Sequence, residues 1–294
     1  MDIFSDFLIC CDYDRTMTAP DGSIPQRNLD AIRYFMENGG AFSMNTGRST
    51  TFFQLPARTI PVNAPTLLFN GAVAYDYETK RTAFVHSIQA SLVETMEAIE
   101  AKFPELVVEI QGLDAHYLSR PNDLWEGFIV DCGGVARICP WNQVPMPFVK
   151  LCVYAPMIDY TVSQFFRPDP ALIARMDQVE QWLKAYFHGT LAVERSAPLI
   201  VDASAAGTGK GTAARQLARQ LGRKTLVCIG DAKNDLSMLT EADLPFVPAD
   251  ASLAACFPNV CPCGEGAVAD VIEKLEKMLI DLTQHTTRCS DGSG

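Results

Sequence analysis

Four short segments carry residues with chemistry in them. Asp12-Tyr-Asp14-Arg-Thr16 sets two carboxylates two positions apart, and on an extended chain such side chains share a face. Two close acids repel unless a cation or a proton sits between them, and a hard divalent metal such as Mg²⁺ suits carboxylate and carbonyl oxygens. The same pair would also serve as helix caps. Asn45-Thr46-Gly47-Arg48-Ser49 offers a hydroxyl, backbone N–H groups and a guanidinium to an anion at a helix start, or makes a routine strand-to-helix turn. Gly207-Thr-Gly-Lys210-Gly-Thr212 resembles a P-loop at first sight. It lacks the upstream glycine of that pattern, and Gly211 stands where Ser or Thr must follow the lysine, so a nucleotide-binding kinase is disfavoured. Lys210 reads as an anion contact at a helix start or as a solvated lysine in a flexible loop. Gly230-Asp231-Ala-Lys-Asn234-Asp235 again offers oxygen ligands to a hard metal, or caps to a helix.

The elements around these segments alternate. Phe7–Cys11 reads as a fully buried strand, and Leu29, Ile32, Phe35 and Met36 recur at helical spacing before a Gly39-Gly40 stop. Ala41–Met44 and Thr66–Phe69 read as further strands. Near the end, Ala214, Leu217, Ala218 and Leu221 mark a helix with Gly222 as its stop, followed by a strand at Thr225–Ile229, a helix from Leu236, and a strand at Leu244–Val247. Val268, Val271, Ile272, Leu275 and Leu279 mark a closing helix, with a frayed tail expected from Thr283. Short apolar strands separated by helices predict an α/β core, a Rossmann-like doubly wound parallel sheet. Three of the four segments fall where its strands end, which is where ligands bind in such sheets.

The middle differs in kind. Ser91-x-x-Glu94 opens a helix carrying Leu92, Met96, Ile99 and Phe103, and Asp169-Pro170 opens one carrying Leu172, Met176, Val179, Leu183 and Phe187. Between and around them lie β-rich runs at 82–88, 106–111, 148–154, 190–194 and 199–202. This predicts an α+β cap domain over 76–203 inserted into a discontinuous core of 1–75 and 204–294, with small residues at 203–209 as a hinge. Trp125, Trp141 and Tyr154 are read as packing residues, with substrate contact as the alternative.

The chain has 294 residues, 48% hydrophobic and 20% charged, and a net charge of −11 from 35 acids and 24 bases. Disorder and fibrous repeats are excluded by that composition, and the acid excess argues against a nucleic-acid binder. No apolar run approaches the ~18 residues of a membrane span, and acids rather than bases precede the first apolar patch. The ten cysteines are scattered, so a cytoplasmic protein with reduced thiols is expected.

Taken as a set, the segments resemble the haloacid dehalogenase superfamily of phosphatases, in particular the cof-type group with a large cap between its second and third motifs. The matching residues are Asp12-x-Asp14-x-Thr16, Thr46-Gly47-Arg48, Lys210-Gly211 and Gly230-Asp231-x-x-Asn234-Asp235. Phe69-Asn70-Gly71-Ala72 and Gly264-Glu-Gly-Ala-Val268 add to it. The resemblance implies that Asp12 attacks phosphorus and that Asp14 acts as acid and then base. It places Mg²⁺ on the Asp12 carboxylate, the Asp14 carbonyl and Asp231, with Asp235 as an outer ligand. Thr46, Gly47, Arg48, Asn70, Gly71, Lys210 and Asn234 are then the substrate-binding set. A small phosphorylated metabolite, a sugar phosphate by family habit, is the implied partner, with no nucleic acid or membrane, for a monomer or homodimer. A phosphomutase of the same superfamily and a non-catalytic metabolite sensor are the alternatives. Arg15 departs from the group, which usually has glycine there.

Overall fold

The computed structural model describes residues 2–156 and 169–290, without the side chains of 282, 283 and 285–290. The strands are β1 Phe7–Cys11, β2 Ala41–Met44, β3 Thr66–Leu68, β4 Val73–Asp76, β5 Arg81–Val85, β6 Val107–Gly112, β7 His116–Leu118, β8 Ala136–Ile138, β9 Phe148–Tyr154, β10 Leu191–Ala197, β11 Ile200–Ala205, β12 Thr225–Ile229, β13 Leu244–Pro248 and β14 Asn259–Val260. By internal contact the chain divides into two compact units. Unit 1 is Met1–Thr46, Ile60–Thr66 and Ala214–Gly294, and unit 2 is Gly47–Thr59 and Leu67–Ala213.

Unit 1 is built on a parallel sheet in the order β14-β13-β12-β1-β2. Every residue of β1 is buried, as the unbroken run Phe-Leu-Ile-Cys-Cys requires of a central strand covered on both faces. The helix Gln26–Glu37 buries Leu29, Ile32 and Phe35 of the predicted stripe, leaves Met36 half-buried, and packs on the long helix Ala267–Ser290. Asn28, fully buried between them, donates to the Met17 carbonyl (3.2 Å) and accepts from the Ala269 N–H (3.1 Å). The helix Ala267–Ser290 runs on past Thr283, where the sequence predicts a frayed tail.

Unit 2 holds a six-stranded sheet in the order β10-β11-β9-β6-β7-β8, antiparallel except where β7 meets β8. Side chains alternate across a strand, so the register of β6, β9 and β11 gives the sheet two distinct faces. Val108, Ile110, Leu151, Val153, Val201 and Ala203 pack with Met96, Ile99, Met176, Val179 and Leu183 of the helices Leu92–Lys102 and Pro170–Tyr186. Both helices start as their caps predict: Ser91 Oγ accepts the Glu94 N–H (3.4 Å), and Asp169 Oδ1 accepts the Ala171 N–H (2.8 Å). The opposite face carries Glu109, Gln111, Lys150, Cys152 and Asp202, all buried. Trp125 and Tyr154 pack with Ile129 and Cys152, and Trp141 packs in the other core, so all three aromatics are packing residues.

Thr66–Phe69 is not a third strand of the parallel sheet. It belongs to a separate sheet, β3-β4-β5, and ends at Leu68 because Phe69 and Asn70 turn into the left-handed region (φ 53° and 55°). An apolar triplet followed by a sharp turn pairs locally with its sequence neighbour, and periodicity does not distinguish that from crossing to a distant sheet. The elements β4, β7 and β8 and the helix Asp123–Asp131 are too short or too weakly patterned to be read from sequence. Among the described residues, no helix is long and apolar enough to cross a membrane.

Candidate active site

Renumbered within its own sheet, the strand order of unit 1 is 2-1-3-4-5, and the order reverses between β1 and β12. A doubly wound sheet opens a crevice at such a switch point, beyond the carboxyl ends of the strands. The register is flush there: Cys11 pairs with Ile229 on one side and Met44 on the other. The next residues, Asp12, Gly230 and Asn45, therefore leave the sheet along one edge, held by Asp12 N–H to Ile229 O (2.9 Å) and Asn45 N–H to Cys11 O (2.7 Å).

Asp12, Asp231 and Asp235 each bring a carboxylate oxygen to within 4.8 Å of the others. Asp12 and Asp235 are buried and Asp231 is half-buried. Asp235 Oδ2 accepts the N–H groups of Asp231 (3.0 Å) and Ala232 (3.2 Å), which folds the loop back on itself. The fold leaves no room for a side chain at Gly230, whose Cβ would stand 2.5 Å from that of Asp235. Thr16 Oγ1 donates to Asp231 Oδ1 at 3.4 Å. Three carboxylates this close and this dry repel each other, and a hard divalent cation with oxygen ligands relieves that repulsion. The donor set therefore fits Mg²⁺. Asp14 has an exposed side chain that stands outside this group, so only its backbone carbonyl is left as the expected metal contact. Thr46 is buried at the end of β2, and Asn234 is half-buried in the turn Lys233–Asp235.

Gly47, Arg48, Asn70, Gly71 and Lys210 all belong to unit 2, which brings their three segments together. The Arg48 carbonyl accepts the Phe69 N–H (3.0 Å). A Cβ on Gly47 would lie 2.8 Å from Asn70 Oδ1, and one on Gly71 (φ 92°) only 2.5 Å from the Gly209 carbonyl. Lys210 is fully buried at the start of the helix Lys210–Gln220.

Sequence reasoning missed the polar residues beneath these loops. Lys150 Nζ donates to Gly47 O (3.1 Å) and pairs with Asp202 Oδ2 at 2.7 Å. Burial alone would pull the Lys150 ammonium down, but the Asp202 carboxylate and its neighbours outweigh this and hold it above its ordinary value. Nearby, His116 Nδ1 donates to Glu109, while His116 Nε2 lies 2.9 Å from Ser49 Oγ and 3.2 Å from Thr51 Oγ1. Glu109 Oε2 also accepts Trp125 Nε1–H at 2.8 Å. Single charges inside otherwise apolar strands, as in Phe-Val-Lys150-Leu-Cys-Val-Tyr, were the available signal.

The family description for haloacid dehalogenase-like hydrolases matches residues 9–127 and 171–255, well over half of the chain. Similar solved structures have the same fold. A haloacid dehalogenase-like hydrolase from Bacteroides thetaiotaomicron has a TM-score of 0.74 at 20% identity, over 91% of this chain and 98% of its own. A phosphatase of the superfamily from the same organism has 0.73 at 17% identity, over 93% and 96%. A protein described as a HAD subclass IIB sugar phosphatase has 0.71 at 17% identity, over 92% and 98%. No curated protein matches the chain. The chain belongs to the haloacid dehalogenase-like hydrolases, in the cof-type group.

Proposed function

We propose that this hydrolase is a Mg²⁺-dependent phosphatase that cleaves a small phosphomonoester, a sugar phosphate, through an aspartyl-phosphate intermediate. The observation that carries the reading is the carboxylate cluster Asp12, Asp231 and Asp235 at the switch point of the parallel sheet. Mg²⁺ held by Asp12, Asp231 and Asp235, with the Asp14 carbonyl, would supply positive charge against the phosphate and the acids.

The other steps fall to the chain's own residues. An Asp12 oxygen bonds to phosphorus as the ester P–O bond breaks, and Asp14 gives its proton to the departing alkoxide. Asp14, now a carboxylate, takes a proton from the water that attacks phosphorus, and the phosphoryl–Asp12 bond breaks to release phosphate. Such a covalent route splits one hard displacement into two, and the acid–base part is worth about 10²–10⁴-fold. By the family resemblance, Thr46, Gly47 and Lys210 would hold the phosphoryl oxygens, and Arg48, Asn70, Gly71 and Asn234 would complete the substrate-binding set. Phosphoryl transfer depends mainly on such positioning and charge stabilisation. The sugar-phosphate class rests on the family and on the sugar phosphatase of the same fold.

The test is a phosphate-release screen over sugar phosphates, nucleotides, cofactor phosphates and p-nitrophenyl phosphate, with Mg²⁺ or with EDTA. Wild type should release phosphate only with metal, and Asp12→Asn should be inactive. Equal activity in the two proteins would overturn the nucleophile. Isomerised sugar phosphate without free phosphate would make it a mutase, and binding without turnover a sensor.

A further inference from the structure

The polar face of the six-stranded sheet does something that packing does not require. Its strands place Glu109 beside Cys152, Cys152 beside Asp202, and Gln111 beside Lys150. Lys150, Asp202 and Asn70 are each about nineteen-twentieths buried, at 6%, 4% and 5% exposure. Lys150 spends its donors on Asp202 Oδ2 (2.7 Å) and on the carbonyl of Gly47 (3.1 Å). Asp202 Oδ2 in turn accepts Asn70 Nδ2–H at 3.4 Å. Two residues beyond Gly47, His116 of the same face meets Ser49, and the ring of Phe52 stacks on His116 at 4.2 Å.

As a stabilising device this network is poor. Among the described residues, Asp202 Oδ1, Asn70 Oδ1 and Gln111 Oε1 are buried without a hydrogen-bond partner, and an acceptor left so costs free energy. An apolar pair of similar volume usually serves stability as well as a buried ion pair, or better. The contacts converge on one stretch of backbone. The Gly47 carbonyl is held by Lys150 and the Arg48 carbonyl by the Phe69 N–H, so the peptides that follow Thr46 are fixed from two sides.

We propose that Lys150 is a positioning residue: paired with Asp202, it holds the Gly47–Arg48 peptide in the orientation that phosphoryl binding requires. The proposal deepens the phosphatase reading and rests on it for its kinetic consequence, but the restraint on residues 47–51 is measurable without turnover. Lys150 touches no substrate and acts through the loop. Misplacing such a loop by a fraction of an ångström lowers kcat more than it raises KM, because the lost contacts are strongest in the transition state.

The experiment compares wild type with Lys150→Met/Asp202→Leu, which removes both charges together so that neither is left buried alone. The assay is p-nitrophenyl phosphate hydrolysis with Mg²⁺, alongside thermal melting and hydrogen exchange of the peptides covering 47–51. The double variant should melt near wild type, lose about 10–100-fold in kcat with a KM change under about threefold, and exchange faster at 47–51. A folded double variant with wild-type kcat and unchanged exchange overturns the proposal. Lys150→Arg keeps the ion pair and guards against a double variant that fails to fold. It should keep the wild-type melting temperature, but its longer planar guanidinium moves the donor off the Gly47 carbonyl, so kcat falls and exchange at 47–51 quickens; unchanged kcat together with unchanged exchange there also overturns the proposal. If wild type hydrolyses no ester, the phosphatase reading fails and exchange at 47–51 alone decides the positioning role.

Discussion

Arg15 sits in a turn that suits another residue. Its φ of 61° is in the left-handed region, held by its own N–H donating to Thr18 Oγ1 (3.1 Å) and by Thr18 N–H to Tyr13 O (3.1 Å). Its side chain is exposed. A residue with a Cβ pays roughly 1–2 kcal/mol there, while glycine is freer in the unfolded chain and gives part of that back. Arg15→Gly should therefore raise stability by about 0.5–1 kcal/mol in urea denaturation, and Arg15→Ala should not. A destabilised glycine variant would show that the guanidinium holds the turn. At the proposed phosphoryl grip, Lys210→Ala should lower kcat by about 10²-fold or more in steady-state assay, since a buried cation facing developing charge is hard to replace. An unchanged kcat would remove Lys210 from the grip.

At the scale of elements, β6 and β7 carry a buried carboxylate and imidazole among apolar neighbours. Burial by itself would raise the Glu109 carboxyl, but His116 beside it, with hydrogen bonds from His116, Gln111 and Trp125, holds it below its ordinary range. A carboxyl with a depressed folded pKa gives stability that is complete above the ordinary glutamate value of 4.5 and fades as pH falls through the lower folded value. Glu109→Gln turns an amide N–H donor towards the donors His116, Gln111 and Trp125 and leaves at least one of them buried and unpaired, a loss of about 1–3 kcal/mol. In urea titrations the gap between wild type and Glu109→Gln should be widest at neutral pH and should narrow below 4.5. A gap independent of pH would mean that the carboxylate charge contributes nothing. The apolar face of this sheet was visible in sequence as runs of Val, Leu and Ile at 148–154 and 199–202, because alternation exposes it. The polar face was not, because its residues come from strands far apart in the chain and acquire partners only through register.

For the whole molecule, all three carboxylates of the proposed metal site lie in unit 1. A ligand that binds only the folded state stabilises it by about 2.7 kcal/mol at a hundred times its Kd. In calorimetry, Mg²⁺ should raise the melting temperature of the transition that includes unit 1, EDTA should reverse this, and Asp231→Asn should abolish it. A shift that survives Asp231→Asn would place the metal elsewhere.

The sequence by itself determined the α/β grammar of unit 1, because a strand buried on both faces must be apolar throughout, as Phe7–Cys11 and Thr225–Ile229 are. It also marked the four chemical segments, since residue types and their spacing survive without coordinates. Only the tertiary structure decided that Thr66–Leu68 joins a separate sheet, that Asp12, Asp231 and Asp235 converge while the Asp14 side chain stays out, and that Lys150 reaches Gly47. Each of these depends on which strands become neighbours, a choice made by long-range packing that a local pattern does not encode.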